Sequence, residues 1–172
     1  TPTADVKSRR AVRFDKNAAN LRLTNNYFEN TAGIKVTGWG NAGSEKQTIK
    51  ILRNKVRNIT NARVSDGDHL VQFVQLGQIN QIAGVEIAWN EVINTYGQSR
   101  VEDNINLYQT GGAGDTDAAR IRIYNNFIWG AYPSPYNEAY YRGGGIIAGD
   151  TNYGKYIGWV DIYNNQVVGT TN

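Results

Sequence analysis

The sequence predicts an all-β solenoid, a parallel β-helix of about five coils in a single domain over 1–172. Three observations predict it. An eight-residue segment recurs five times, a shorter apolar segment follows the first four copies, and no helical pattern lies between them. The copies are Leu21–Phe28, Ile49–Val56, Val85–Val92, Ile121–Ile128 and Val160–Val167. Each places apolar residues five and three positions before an Asn, and another two positions after it. Period-two alternation marks a strand with one buried face. The Asn, at 26, 54, 90, 126 and 165, is expected to make the bend, because Asn tolerates the left-handed conformation and bonds its own backbone.

The second strand reads Ile34–Val36, Val71–Phe73, Ile105–Leu107 and Ile146–Ala148, starting 19 to 21 positions before the next Asn. Val12–Phe14 supplies the same element to an incomplete first coil. A third strand is expected near 47–48 or 79–82. The Asn-to-Asn steps are 28, 36, 36 and 39, and a chain that returns in register at that interval is a solenoid. Propeller blades of similar length would need four strands per unit.

The outward positions support the stacking. Four places before each Asn stand Arg22, Lys50, Glu86, Arg122 and Asp161. Coils about 4.8 Å apart would set Lys50 against Glu86, Glu86 against Arg122 and Arg122 against Asp161. Just after the Asn, Lys55 would face Glu91. The five Asn amides are expected to stack as an internal ladder.

Composition narrows the function. Lys and Arg number 18 against 15 Asp and Glu, a net charge of +3, too even for a dedicated nucleic-acid binder. No apolar run approaches a membrane span. Without Cys there is no disulfide, thiol catalysis or thiolate metal site. Met is also absent, even at position 1, so a processed product or a segment of a longer protein is expected, with any signal peptide out of view.

The motif Ile-x-Ile-x-x-Asn-x-Val, followed by Gly-Ile-x-Val, resembles the repeats of the pectin-lyase-like superfamily, especially its secreted bacterial members. Val101-Glu-Asp-Asn-Ile-Asn-Leu107 is similar in character, and the resemblance runs from about Arg10 to Val168. It implies right-handed winding, a secreted or cell-surface location, and a scaffold shared by many polysaccharide lyases and hydrolases. It does not assign an activity. The Asn-Thr-Asp, Asp-Asp and His-Gly groups of polygalacturonases are missing from the strands, as are a Walker loop and a His-Glu-x-x-His zinc motif.

A site is expected where three consecutive coils lengthen the same connection, from Val56 to Val71, Val92 to Ile105 and Ile128 to Ile146. Insertions at one repeated corner of a solenoid commonly build its binding face. The first loop carries Asp66, Asp68 and His69, the only histidine; the second carries Arg100, Glu102 and Asp103. Aligning Val71 with Ile105 sets Asp68 beside Glu102 and His69 beside Asp103. These five, Asp68, His69, Arg100, Glu102 and Asp103, are the catalytic candidates. Asp66, Asp68 and Asp103 could hold Ca²⁺, and no other cofactor is expected. The third loop carries Tyr132, Tyr136, Glu138, Tyr140, Tyr141 and Arg142, the candidate substrate contacts. Tyrosine offers a sugar ring an apolar face and its edge a hydroxyl. A plain turn explains Asp66-Gly67-Asp68 as well, and a stiff loop explains Tyr132-Pro-Ser-Pro-Tyr136. Trp89 and Trp129 fit packing on the outer face, Trp39 sits on a separate loop without an obvious partner, and Asn58-Ile59-Thr60 is a glycosylation sequon.

Two functions follow as expectations. One is an extracellular module that binds polysaccharide, acidic glycans included, and could cleave it as a lyase or hydrolase. The other is a structural or adhesive module without chemistry, assembling end to end. The uncapped coil ends would be covered by another copy or by the remainder of a longer chain.

Overall fold

The computed structural model describes residues 10–15, 20–38, 48–60, 71–79, 81–132, 143–150 and 158–170. It is a right-handed parallel β-helix of five coils. Each coil carries three strands, one more than the two clear ones read from the sequence. The first coil holds β1 (Val12–Phe14), β2 (Leu21–Thr24) and β3 (Tyr27–Thr31). The second holds β4 (Ile34–Thr37), β5 (Ile49–Leu52) and β6 (Lys55–Ile59). The third holds β7 (Gln72–Gly77), β8 (Val85–Ala88) and β9 (Glu91–Ile93). The fourth holds β10 (Asp103–Tyr108), β11 (Ile121–Tyr124) and β12 (Phe127–Trp129). The fifth holds β13 (Gly144–Asp150), β14 (Val160–Tyr163) and β15 (Gln166–Val168). Equivalent strands pair in parallel, giving a first sheet β1-β4-β7-β10-β13, a second β2-β5-β8-β11-β14 and a third β3-β6-β9-β12-β15. The recurring eight-residue segment is thus two short strands in different sheets. Ile82, where a further strand was expected, makes an isolated bridge to Gly112 and lies in no strand.

The core is built from stacked rows. Ile51, Ile87 and Ile123 form one, Val56, Val92 and Ile128 a second, and Ile34, Val74 and Ile105 a third, all fully buried. Each inner coil thus surrenders several branched side chains to one dry interior, at about 1.5–3 kcal/mol of transfer free energy apiece.

The two-residue corner between the second and third sheets is the same in every coil. The Asn ladder runs through it as expected: Asn26 Nδ2 donates to Asn54 Oδ1 at 2.9 Å, and the chain continues through Asn90 and Asn126 to Asn165. Each Oδ1 also accepts the backbone N–H of the preceding ladder Asn at 3.0 Å. The other Nδ2 hydrogen goes back one coil, to the carbonyls of Leu23, Ile51, Ile87 and Ile123. The ladder Asn is not the left-handed residue, however. That conformation falls one position earlier, on Asn25, Arg53, Trp89, Asn125 and Asn164, with φ between 53° and 60°. The turn needs the backbone of one residue and the amide of the next, and in three coils both are Asn.

The charge row is also in register, with changed partners. Lys50 Nζ bonds Glu86 at 2.9 Å, and Arg122 bonds the other Glu86 oxygen. Asp161 lies beside Arg122 in the sheet but pairs with Arg120 at 3.0 Å. Glu91 takes Arg57 at 2.6 Å rather than its neighbour Lys55, because Arg57 is the longer, forked donor.

Candidate functional site

The lengthened connections join the third sheet to the first, β6 to β7, β9 to β10 and β12 to β13, so they leave one corner in consecutive coils. The connections from the first sheet to the second are long as well, and only the Asn corner is held at two residues throughout.

A second column, four places after each ladder Asn, runs along this corner and holds Asn or Gly in every coil: Asn30, Asn58, Asn94, Gly130 and Gly169. All but Asn94 are left-handed. Asn94 accepts the Ile59 N–H at 2.9 Å and donates to Asn104 Oδ1 at 2.8 Å and to the Gly130 carbonyl at 2.9 Å. Asn104 donates to the Gly130 and Gly144 carbonyls. Asn94 and Asn104 are buried, so the bases of the second and third loops are clamped from inside. The sequence reading overlooked this column, though the recurrence of Asn or Gly at a fixed offset was its signal. Asn58 is only 7% exposed; its Nδ2 donates to Gln98 at 3.0 Å and its Oδ1 accepts the Thr95 N–H at 2.9 Å. The sequon asparagine is therefore a structural amide, with no room for a glycan in the folded coil.

Of the candidate site residues, Arg100, Glu102, Asp103 and Tyr132 are described. Asp66, Asp68, His69, Tyr136, Glu138, Tyr140, Tyr141 and Arg142 lie outside the described residues, as does Trp39. The register of the first sheet overturns the alignment on Val71. Val74 and Leu76 pair with Ile105 and Leu107, a shift of three positions. Glu102 therefore stands beside Val71, whose carbonyl accepts the Glu102 N–H at 2.9 Å, and Asp103 beside Gln72. The positions once assigned to Asp68 and His69 belong to Val71 and Gln72.

Glu102 Oε2 accepts from Gln72 Nε2 at 2.7 Å, and Gln72 Oε1 accepts from Arg10 at 3.1 Å. Arg10 also donates to the Ala32 carbonyl at 2.8 Å. The buried Asp103 accepts from Asn106 Nδ2 at 2.8 Å. Both carboxylates accept from side-chain amide N–H groups. Arg100 is tied by its backbone to the Ile59 carbonyl at 2.9 Å, which fixes where its half-buried side chain leaves the loop. Among the described residues no three Asp, Glu, His or Cys side chains gather as a metal site. No helix of the structure is long and apolar enough to cross a membrane.

The aromatic component is clearer. Tyr96, on the second loop, meets Tyr132, on the third, edge to face with ring centroids 5.6 Å apart. Tyr96 is 72% exposed. The Tyr132 ring folds back across Gly130, where a Cβ would lie 2.6 Å from a ring carbon, and its hydroxyl reaches toward Gly169. With φ at +81° and a ring on top of it, position 130 admits only glycine. Trp129 is half exposed on the adjoining third sheet. Tyr96 was missed because the reading of the second loop rested on its charged residues, Arg100, Glu102 and Asp103.

A second aromatic row lies on the outer face of the second sheet. Tyr124 and Tyr163 stack in parallel at 5.0 Å, and Trp89 meets Tyr124 edge-on at 6.5 Å. Arg122 lies over the Tyr124 ring at 5.9 Å. The Ile-Tyr-Asn-Asn shared by the last two copies, at 123–126 and 162–165, is the pattern that stacks these tyrosines. Compared with family models, curated proteins and solved structures, the chain matches none of them.

Proposed function

We propose that this chain is an extracellular module that binds polysaccharide at the corner between its third and first sheets, in the manner its likeness to pectin-lyase-like repeats implies. The observation that carries the reading is the Tyr96–Tyr132 pair, which joins rings from two consecutive loops on a clamped base. An exposed aromatic step of this kind suits the flat face of a sugar ring. Glu102 supplies an acceptor for hydroxyls along the same corner, and Arg100 a cation for an acidic sugar. The tyrosines would then carry affinity, the charged groups selectivity, and any cleavage would fall to Glu102 and Asp103. A role for Ca²⁺ in holding a uronate belongs to the same proposal.

Calorimetry against uronate and neutral oligosaccharides, with and without Ca²⁺, tests it. Tyr96→Ala with Tyr132→Ala should weaken binding about tenfold or more without lowering the melting temperature much, since both rings lie outside the core. Arg100→Ala should harm uronate binding more than neutral binding. Absence of binding by the parent chain to either class would sink the proposal. Chain shortening by the parent, lost in Glu102→Gln or Asp103→Asn while binding persists, would make it an enzyme.

A further inference from the structure

We infer that the face formed by β13, β14 and β15 seats the β1–β2–β3 face of a second copy of this chain, head to tail, so that the helix continues from one molecule into the next.

The Asn ladder is directional, and its two ends differ. Every inner ladder Asn donates its backbone N–H and one Nδ2 hydrogen to the next coil, and the other Nδ2 hydrogen to the previous one. At Asn165 only the backward bond is made, to the Ile123 carbonyl, so among the described residues two donors point onward without acceptors. At Asn26 the forward bonds are made, while Oδ1 and one Nδ2 hydrogen have no partner among the described residues. One face offers donors where the other offers acceptors. Stacked in register, Asn165 would donate twice to Asn26 Oδ1 of the second copy, and that Asn26 would donate back to the Ile162 carbonyl.

The strand order agrees. The path visits the first, second and third sheets in turn and completes five rounds, from β1 to β15. The next strand after β15 belongs in the first sheet, which is where β1 of the second copy would lie, on β13. The apolar rows agree as well. Ile162 and Val167 continue rows that are fully buried in the inner coils, yet they are 46% and 40% exposed. With Ile146 they line a trough of about 480 Å³. Leu23, Phe28 and Val12 are the facing members of those rows on the other end, and each is only partly buried. The outer charges also match: the row that ends on Asp161 begins on Arg22, so stacking sets opposite charges together. Because the contact is heterologous and its operation is a translation along the helix axis, growth does not close at a dimer. Five coils at about 4.8 Å set a subunit repeat of about 24 Å.

Sedimentation velocity over a series from micromolar to several hundred micromolar tests this. The parent should rise in mass past a dimer with no plateau. Arg22→Glu should raise the dissociation constant roughly fivefold or more, because it opposes Asp161 across the junction, while inside the molecule it lies beside Lys50 and costs the fold nothing. Ile162→Lys, on an already exposed position, should leave monomers at every concentration, with the circular dichroism of the dilute parent. A parent that stays monomeric throughout, a mass that stops at a dimer, or growth indifferent to Arg22→Glu would overturn the inference, and the last of these decides even if Ile162→Lys does not fold.

Discussion

At the Asn corner, backbone and side chain of adjacent residues divide the work, and each half can be measured alone. Asn90 is buried and engages all of its amide, so Asn90→Ala strands the Asn54 donors and the Ile51 carbonyl in a dry place. The expected cost is about 1–3 kcal/mol in denaturant unfolding. Asn26→Ala, at the exposed end of the same ladder, should cost clearly less. The backbone half lies one residue earlier. Arg53 is exposed, left-handed at φ 56°, and makes no side-chain hydrogen bond among the described residues. A long side chain in that region costs roughly 1–2 kcal/mol, and Asn is better suited to it. Arg53→Asn should therefore raise stability by up to about 1 kcal/mol, and an unchanged or lowered denaturation midpoint would mean the turn does not strain Arg53. The ladder itself was legible, because five Asn residues at one phase of the repeat have no other economical reading. Which of two adjacent residues turns the chain was not, because in coils one, four and five both are Asn.

At the scale of strands, the charge row of the second sheet is a titratable element. Burial pushes the Glu86 carboxyl up, but the hydrogen bond and charge of Lys50, the charge of Arg122 and the Tyr124 hydroxyl outweigh it and hold it below the ordinary value. A carboxylate lowered in the folded state adds stability above its unfolded pKa of about 4.3, which is lost as pH falls through the folded pKa. Glu86→Gln should therefore be less stable than the parent at pH 7, and the difference should shrink below about pH 4.5; equal pH dependence of the two melting curves would exclude the coupling. Strand identity was readable from alternation, but one register was not. In Gln72-Phe73-Val74-Gln75-Leu76, residues 72, 73, 74 and 76 are all buried, since β7 begins at a corner where adjacent residues turn inward together. Val71/Phe73 and Val74/Leu76 then offer two frames of equal period, and alternation alone does not choose between them. The expected Asp68–Glu102 and His69–Asp103 contacts rested on that choice, and the pairing of Gln72 with Asp103 removes the alignment behind them. The tyrosine half depended only on three loops sharing a corner, and the Tyr96–Tyr132 contact agrees with that.

For the whole molecule, each coil touches only its neighbours, so stability is a sum of coil and interface contributions along one axis. The inner coils have two neighbours and fully buried rows, whereas β14 and β15 have one neighbour and leave Ile162 and Val167 in water. Opening from the ends should therefore cost far less than opening in the middle. In dilute solution, amide hydrogen exchange should rank β5, β8 and β11 as most protected, with β14 and β15 exchanging fastest among the strands. The Asn90 backbone N–H, held by Asn126 Oδ1, should exchange much more slowly than the equivalent N–H of Asn165, which has no acceptor among the described residues. Tyr96→Ala should leave this gradient unchanged, because the loops lie outside the stacked rows. Ile87→Ala should lower protection in β5 and β11 as well as in β8, because a void in a central interface weakens the joints on both sides of it, at about 2–5 kcal/mol, while the end strands, which open without breaking those joints, should change little. A loss of protection confined to β8 would show that the coils open independently, and the quasi-one-dimensional account of this helix would then be wrong.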